Sequence, residues 1–105
     1  MKKKKPSILL DLDNTALLFN EDGSYTIHSK IPLLLEEYDI TLFSARSDIE
    51  KFALQWNVPY ISKIFSEIFP KADFLIDDQC EYFKSKVQVQ KSYSSINQFL
   101  RAQNK

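Results

Sequence analysis

Short apolar runs alternate with helix-period stripes along this chain, the pattern of strand–helix units wound around a parallel sheet. Ser7 to Leu10 is the first run and ends in Asp11-Leu12-Asp13. A polar stretch from Asn20 to Ser24 predicts a turn or a small flap. Ile31, Leu34, Leu35 and Tyr38 then recur at helical spacing, with Pro32 suited to a first turn. Ile40 to Phe43 reads as a strand closed by Ser44-Ala45-Arg46. Ser47 and Glu50 have the spacing of a capping box, and Ile49, Phe52, Ala53 and Trp56 form the buried stripe of the helix it would start.

Past Pro59 the pattern predicts a strand at Tyr60-Ile61 and a brief helix from Ile61, Ile64, Phe65 and Ile68 up to Pro70. Phe74 to Ile76 is a further strand, again ending in acid at Asp77-Asp78. A last strand is expected near Val87 to Val89, and a final helix carries Ile96, Phe99 and Leu100 behind a cap at Ser94 or Ser95. The expected architecture is a single α/β domain over residues 1–105, a three-layer, Rossmann-like sandwich with about five parallel strands.

Composition narrows the function. The 105 residues are 44% apolar and 13% aromatic, enough to fill one core. Fourteen basic residues balance fourteen acidic ones, so the charge does not indicate a general nucleic-acid binder. The lysines at 2–5 read as a solvated, basic terminus over residues 1–6 in preference to a contact for nucleic acid. A single cysteine, Cys80, excludes a disulfide framework and a multi-cysteine zinc site; with no membrane span or signal peptide in the pattern, a cytoplasmic location is expected. Gly23 is the only glycine, so neither a Walker loop nor a dinucleotide fingerprint exists.

Candidate chemistry sits where three expected strands end: Asp11 and Asp13, Ser44, and Asp77 and Asp78. A parallel sheet would bring those ends to one edge, the edge at which open α/β sheets bind ligands. Four gathered carboxylates need a cation, and an all-oxygen ligand set suits magnesium. Arg46 has two readings, a phosphate clamp or an ion pair at the head of the next helix. Asp78 likewise could serve the metal or cap the following helix. His28 is expected to be exposed, Cys80 to pack as a small apolar residue, and Phe52, Trp56, Phe65 and Phe69 to belong to the core.

These residues carry a resemblance. Asp11-Leu12-Asp13-Asn14-Thr15 after an apolar strand resembles the first motif of the haloacid dehalogenase (HAD) superfamily of phosphatases and phosphotransferases. Ser44 resembles its second motif and Asp77-Asp78 its fourth, so the likeness spans about Ser7 to Asp78. The resemblance implies a magnesium-dependent phosphomonoesterase in which Asp11 attacks phosphorus to form an aspartyl phosphate and Asp13 is the general acid and base. By the same resemblance, Asp11, the Asp13 backbone carbonyl, Asp77 and Asp78, the last directly or through water, hold the metal. Thr15 fixes the loop and Asp13, and Ser44 binds a phosphoryl oxygen. Dehalogenase members lack the second aspartate, so Asp13 favours phosphate esters.

The third motif of such proteins is a lysine that touches nucleophile and phosphate, and two residues are candidates. Lys71, near Pro70 and ahead of the acid-ending strand, is favoured over Lys63. The stretches from Thr15 to Ile40 and from Arg46 to Lys71 are each filled by a predicted helix, so no cap domain is expected. An open site would admit a phosphorylated small molecule, such as a nucleotide or phosphosugar, or an exposed phosphate on a macromolecule. It would also leave room for a second copy of the chain to act as a lid. The alternative is a catalytically weak metal- or phosphate-binding module or regulatory interaction module.

Overall fold

The computed structural model describes residues 5–64 and 70–104. Its centre is a five-stranded, wholly parallel sheet: β1 (Ser7–Leu10), β4 (Asp39–Ser44), β5 (Tyr60–Ser62), β6 (Phe74–Ile76) and β7 (Lys91–Tyr93), in the order β5-β4-β1-β6-β7. β1 is central because it is apolar on both faces, as a strand covered on both sides must be. Ile8 and Leu10 face one cluster and Leu9 the other, all three essentially inaccessible.

The larger cluster joins that face of the sheet to three helices, α1 (Ile31–Glu37), α2 (Ile49–Trp56) and α4 (Ile96–Ala102). Their buried residues are Ile31 and Leu34, then Ile49, Phe52 and Ala53, then Ile96, Phe99 and Leu100. These are the stripes expected from periodicity. On the opposite face Leu9, Phe43 and Leu75 pack against Cys80 and Val87, beneath α3 (Cys80–Phe83) and a 3₁₀ turn over Lys84–Lys86. The buried thiol of Cys80 therefore behaves as a small apolar group. Phe52 and Trp56 also pack with the core as expected.

Three local expectations are corrected. The capping box is not formed: α2 starts at Ile49, two residues after Ser47, and Asp48 makes no side-chain cap because its carboxylate takes Arg46. The final strand is Lys91–Tyr93, not Val87 to Val89. That alternating stretch makes only a single bridge, Gln88 to Lys71, ahead of β6, and the ladder starts where Phe74 meets Lys91. Third, Ile61 belongs to strand β5, and Ile64 is exposed in a turn. The rest of the brief helix expected there, with Phe65 and Phe69, lies outside the described residues, as do the lysines at 2–4.

The polar stretch Asn20–Ser24 is a hairpin tip. It joins β2 (Leu17–Phe19) to β3 (Tyr25–Ile27), an antiparallel pair beside the main sheet. Asn20 and Ser24 close the tip through backbone and side-chain hydrogen bonds, and Gly23 supplies the left-handed conformation it needs. α4 is capped by Ser95, whose hydroxyl accepts from the Gln98 amide while the Gln98 side chain accepts from the Ser94 amide. Among the described residues, no helix is long and apolar enough to cross a membrane.

Candidate active site

Strand register assembles the site. Leu10 pairs with both Leu42 and Ile76, and Ser44 pairs with Ser62. The residues leaving the carboxyl ends of β1, β4, β5 and β6 are therefore Asp11, Ser44 itself, Lys63 and Asp77, side by side on one edge. From β1 the chain winds outward to β4 and β5, then returns to β6 on the other flank. Asp11 and Asp77 flank that reversal, the switch point at which α/β sheets take ligands.

Asp11 is held from two sides. Its Oδ2 accepts from the Thr15 hydroxyl at 3.1 Å, and its Oδ1 takes the Lys63 ammonium at 3.0 Å. Lys63 Nζ also reaches Asp77 Oδ2 at 2.7 Å. Asp11, Thr15, Ser44 and Asp77 are all buried. The tight turn after Asp11 follows from hydrogen bonds of the Thr15 and Leu17 amides to the Leu12 carbonyl, with Asn14 in the left-handed region that asparagine tolerates. Thr15 acts on Asp11 rather than on Asp13; its oxygen also accepts from the Asp78 amide, tying the first acidic turn to the second.

Burial, reinforced by the neighbouring Asp77 carboxylate and opposed by Lys63, pushes the Asp11 carboxyl up to about 8. One carboxylate oxygen each from Asp11, Asp77 and Asp78 lies within 4.8 Å of the others. A compact, all-oxygen donor set of this kind is one that a hard divalent cation can take. Asp78 is exposed and is not a helix cap; the Gln79 amide is instead bound by the Asp77 side chain.

Arg46 satisfies the ion-pair reading, and more. Its guanidinium forks onto Asp48 at 2.7 and 3.0 Å and reaches Asp13 at 2.7 Å, while its amide donates to Ser44 Oγ. Its hydrogen bonds to Asp48 and Asp13 hold its pKa above the ordinary guanidinium range, and Arg46 in turn lowers that of the Asp48 carboxyl. Arg46 also lies over Phe19 of the hairpin and Phe52 of α2. The Asp13 side chain, 48% accessible, stands at the mouth of the cavity. That cavity, about 260 Å³, is bounded by Asp11, Asp13, Ser44, Lys63, Asp78 and Phe83 among others.

The favoured lysine is corrected. Lys71 lies at the opposite edge, bridged to Gln88 and lining a separate cavity with Ser7 and Asp73. From Lys71 to Asp77 the chain crosses the sheet through β6, at about 3.3 Å per residue, so a lysine ahead of that strand starts from the wrong side. Lys63 reaches Asp11 and Asp77 because it follows a strand, as they do. That shared position was the available signal. The Arg46 link to Asp13 and the place of Phe83 on the cavity wall had no such signal, since both depend on contacts between remote segments. His28 is half-buried and its ring accepts from the Lys30 amide, away from this cluster.

Comparison with protein-family models, with curated proteins and with solved structures returns no match for this chain.

Proposed function

We propose that the chain is a magnesium-dependent phosphomonoester hydrolase of the haloacid dehalogenase type, without a cap domain, working in the cytoplasm through a phosphorylated Asp11. The single observation that carries the reading is the buried Asp11–Lys63–Asp77 triad at the carboxyl edge of the sheet, with Asp78 beside it. The carboxylate cluster fits magnesium, which Asp11, Asp77, Asp78 and, by the resemblance, the Asp13 backbone carbonyl would hold; when bound, the ion would offset the repulsion between a carboxylate nucleophile and a phosphate dianion.

The remaining chemistry belongs to the protein. An Asp11 carboxylate oxygen forms the bond to phosphorus as the ester oxygen leaves, and the Asp13 carboxyl gives that alkoxide its proton. Asp13, now a carboxylate, takes a proton from water, which attacks the acyl phosphate at phosphorus, releases inorganic phosphate and restores Asp11. Lys63 neutralises phosphoryl oxygens. Ser44, whose oxygen accepts from the Arg46 amide, keeps its hydroxyl proton to donate to another. Arg46 pairs with the ionised Asp13, the form that takes the proton from water in the second step, and the first step uses the protonated form, in which that ion pair is broken. The small cavity suits an accessible phosphate on a substrate whose body stays outside.

The non-catalytic alternative rests on the choice between two lysines and on the absent cap; the contacts of Lys63 with Asp11 and Asp77 support the catalytic reading. The test is phosphate release from nucleotides, phosphosugars and phosphorylated oligonucleotides with magnesium or with chelator, beside Asp11→Asn. Metal-dependent release that the variant loses is the expected result. A folded wild-type protein that releases phosphate from none of them contradicts the proposal.

A further inference from the structure

Lys63 is held by more than its two carboxylates. Its Nζ lies 4.1 Å from the centroid of the Phe83 ring and 5.1 Å from that of Phe43. The two rings meet edge to face, with centroids 5.7 Å apart. Phe43 is buried in β4 next to Ser44, and Phe83 ends α3. α3 starts just past Asp78, and its Phe83 amide bonds to the Gln79 carbonyl, so the acidic turn that supplies Asp77 also supplies the ring. Phe83 is half-buried and borders the cavity.

A lysine ammonium is a point charge on a flexible stem and is not oriented by its own geometry. Here ring faces attract it without consuming a hydrogen bond. Two of its three donors go to Asp11 and Asp77, and among the described residues no other acceptor takes the third. A carbonyl or hydroxyl in the place of Phe83 would compete for that donor; a benzene face competes far less.

We propose that Phe83, with Phe43 behind it, is a positioning residue that fixes the Lys63 ammonium between Asp11 and Asp77 with one N–H left for a phosphoryl oxygen. This rests on the phosphate-binding role given to Lys63 above. Phe83 touches Lys63 and need not touch the reacting atoms.

The test compares wild type with Phe83→Leu, which keeps an apolar side chain without a ring, and with Phe83→Tyr, which keeps the ring. The first readout needs neither metal nor turnover: ring-current displacement of the Lys63 Hε resonances, expected upfield in wild type and Phe83→Tyr and lost in Phe83→Leu. The second is inorganic phosphate affinity with magnesium, expected to weaken about tenfold in Phe83→Leu and to be retained in Phe83→Tyr. A purely structural role would lower the melting temperature without changing the phosphate affinity of the folded protein. Wild-type resonances without the upfield displacement overturn the inference, as does a Phe83→Leu protein that binds phosphate as wild type does. A displaced resonance in a wild-type protein with no affinity for phosphate supports the placement of Lys63 and contradicts the proposed function instead.

Discussion

At the amino edge of the sheet, the half-buried Asp73 carboxylate is satisfied by the Ser7 amide and hydroxyl, and Lys71 is exposed nearby. At the carboxyl edge, Asp11 and Asp77 are buried against each other with Lys63 wedged between them and Asp78 at their side. Both edges hold aspartate and lysine, but the amino edge satisfies its aspartate with hydrogen bonds from Ser7 and leaves its lysine exposed. The carboxyl edge buries two carboxyl groups together out of solvent. A protein selected for stability alone has no reason to gather carboxylates in this way, because desolvation and repulsion both oppose it. The contrast is what motivates the function proposed for the carboxyl edge.

The sharpest break between the edges is at Asp11. Asp11→Asn removes the proposed nucleophile at constant volume, and turnover is expected to fall at least about a thousandfold while circular dichroism stays that of the folded protein. Next come the two lysines. Lys63→Met is expected to lower kcat/KM about a hundredfold, whereas Lys71→Met stays within about twofold of wild type. Steady-state kinetics on the pair would contradict the edge assignment if the order were reversed.

A smaller effect separates the edges by pH. The folded-state pKa of Asp11, about 8, lies above its unfolded value near 3.8, so between these values the native chain binds a proton that the unfolded chain has released. Stability from this group is therefore full below about 3.8 and declines as pH rises towards 8. In chelator the melting temperature should fall over that window in wild type and much less in Asp11→Asn. Magnesium should raise the wild-type value most at the alkaline end, because it binds the ionised carboxylates of the folded state. A wild-type profile in chelator no steeper than that of the variant would contradict the buried-carboxylate account. Smallest is Asp73→Ala at the amino edge, expected to cost about 1 kcal/mol in denaturant unfolding and to leave kcat unchanged.

Much of this fold is legible from local pattern. The β1, β4 and β6 runs, the stripes of α1, α2 and α4 and the cap at Ser95 are periodic or local signals, and they appear where expected. Asp11, Ser44 and Asp77 were legible because strand ends in a parallel sheet share an edge. What was not legible depends on contacts across the chain. Asp48 has the sequence position of a helix-start residue, yet the Arg46 guanidinium recruits it. Val87 to Val89 alternates like a strand, but the ladder begins at Lys91. Lys71 sits near the acidic strand in sequence and at its far end in space. Lys63, farther off in sequence, lands on Asp11 because Ser62 is in register with Ser44.

The most direct test of the central claim, that Asp11 is phosphorylated during turnover, is to trap that species. Wild-type protein is mixed with a ³²P-labelled phosphomonoester that it turns over in magnesium, quenched in acid within the first turnovers, and digested. The account predicts acid-stable, hydroxylamine-sensitive label on the peptide containing Asp11, and none in Asp11→Asn or in chelator. Turnover with no labelled peptide, or label on a peptide lacking Asp11, would contradict it.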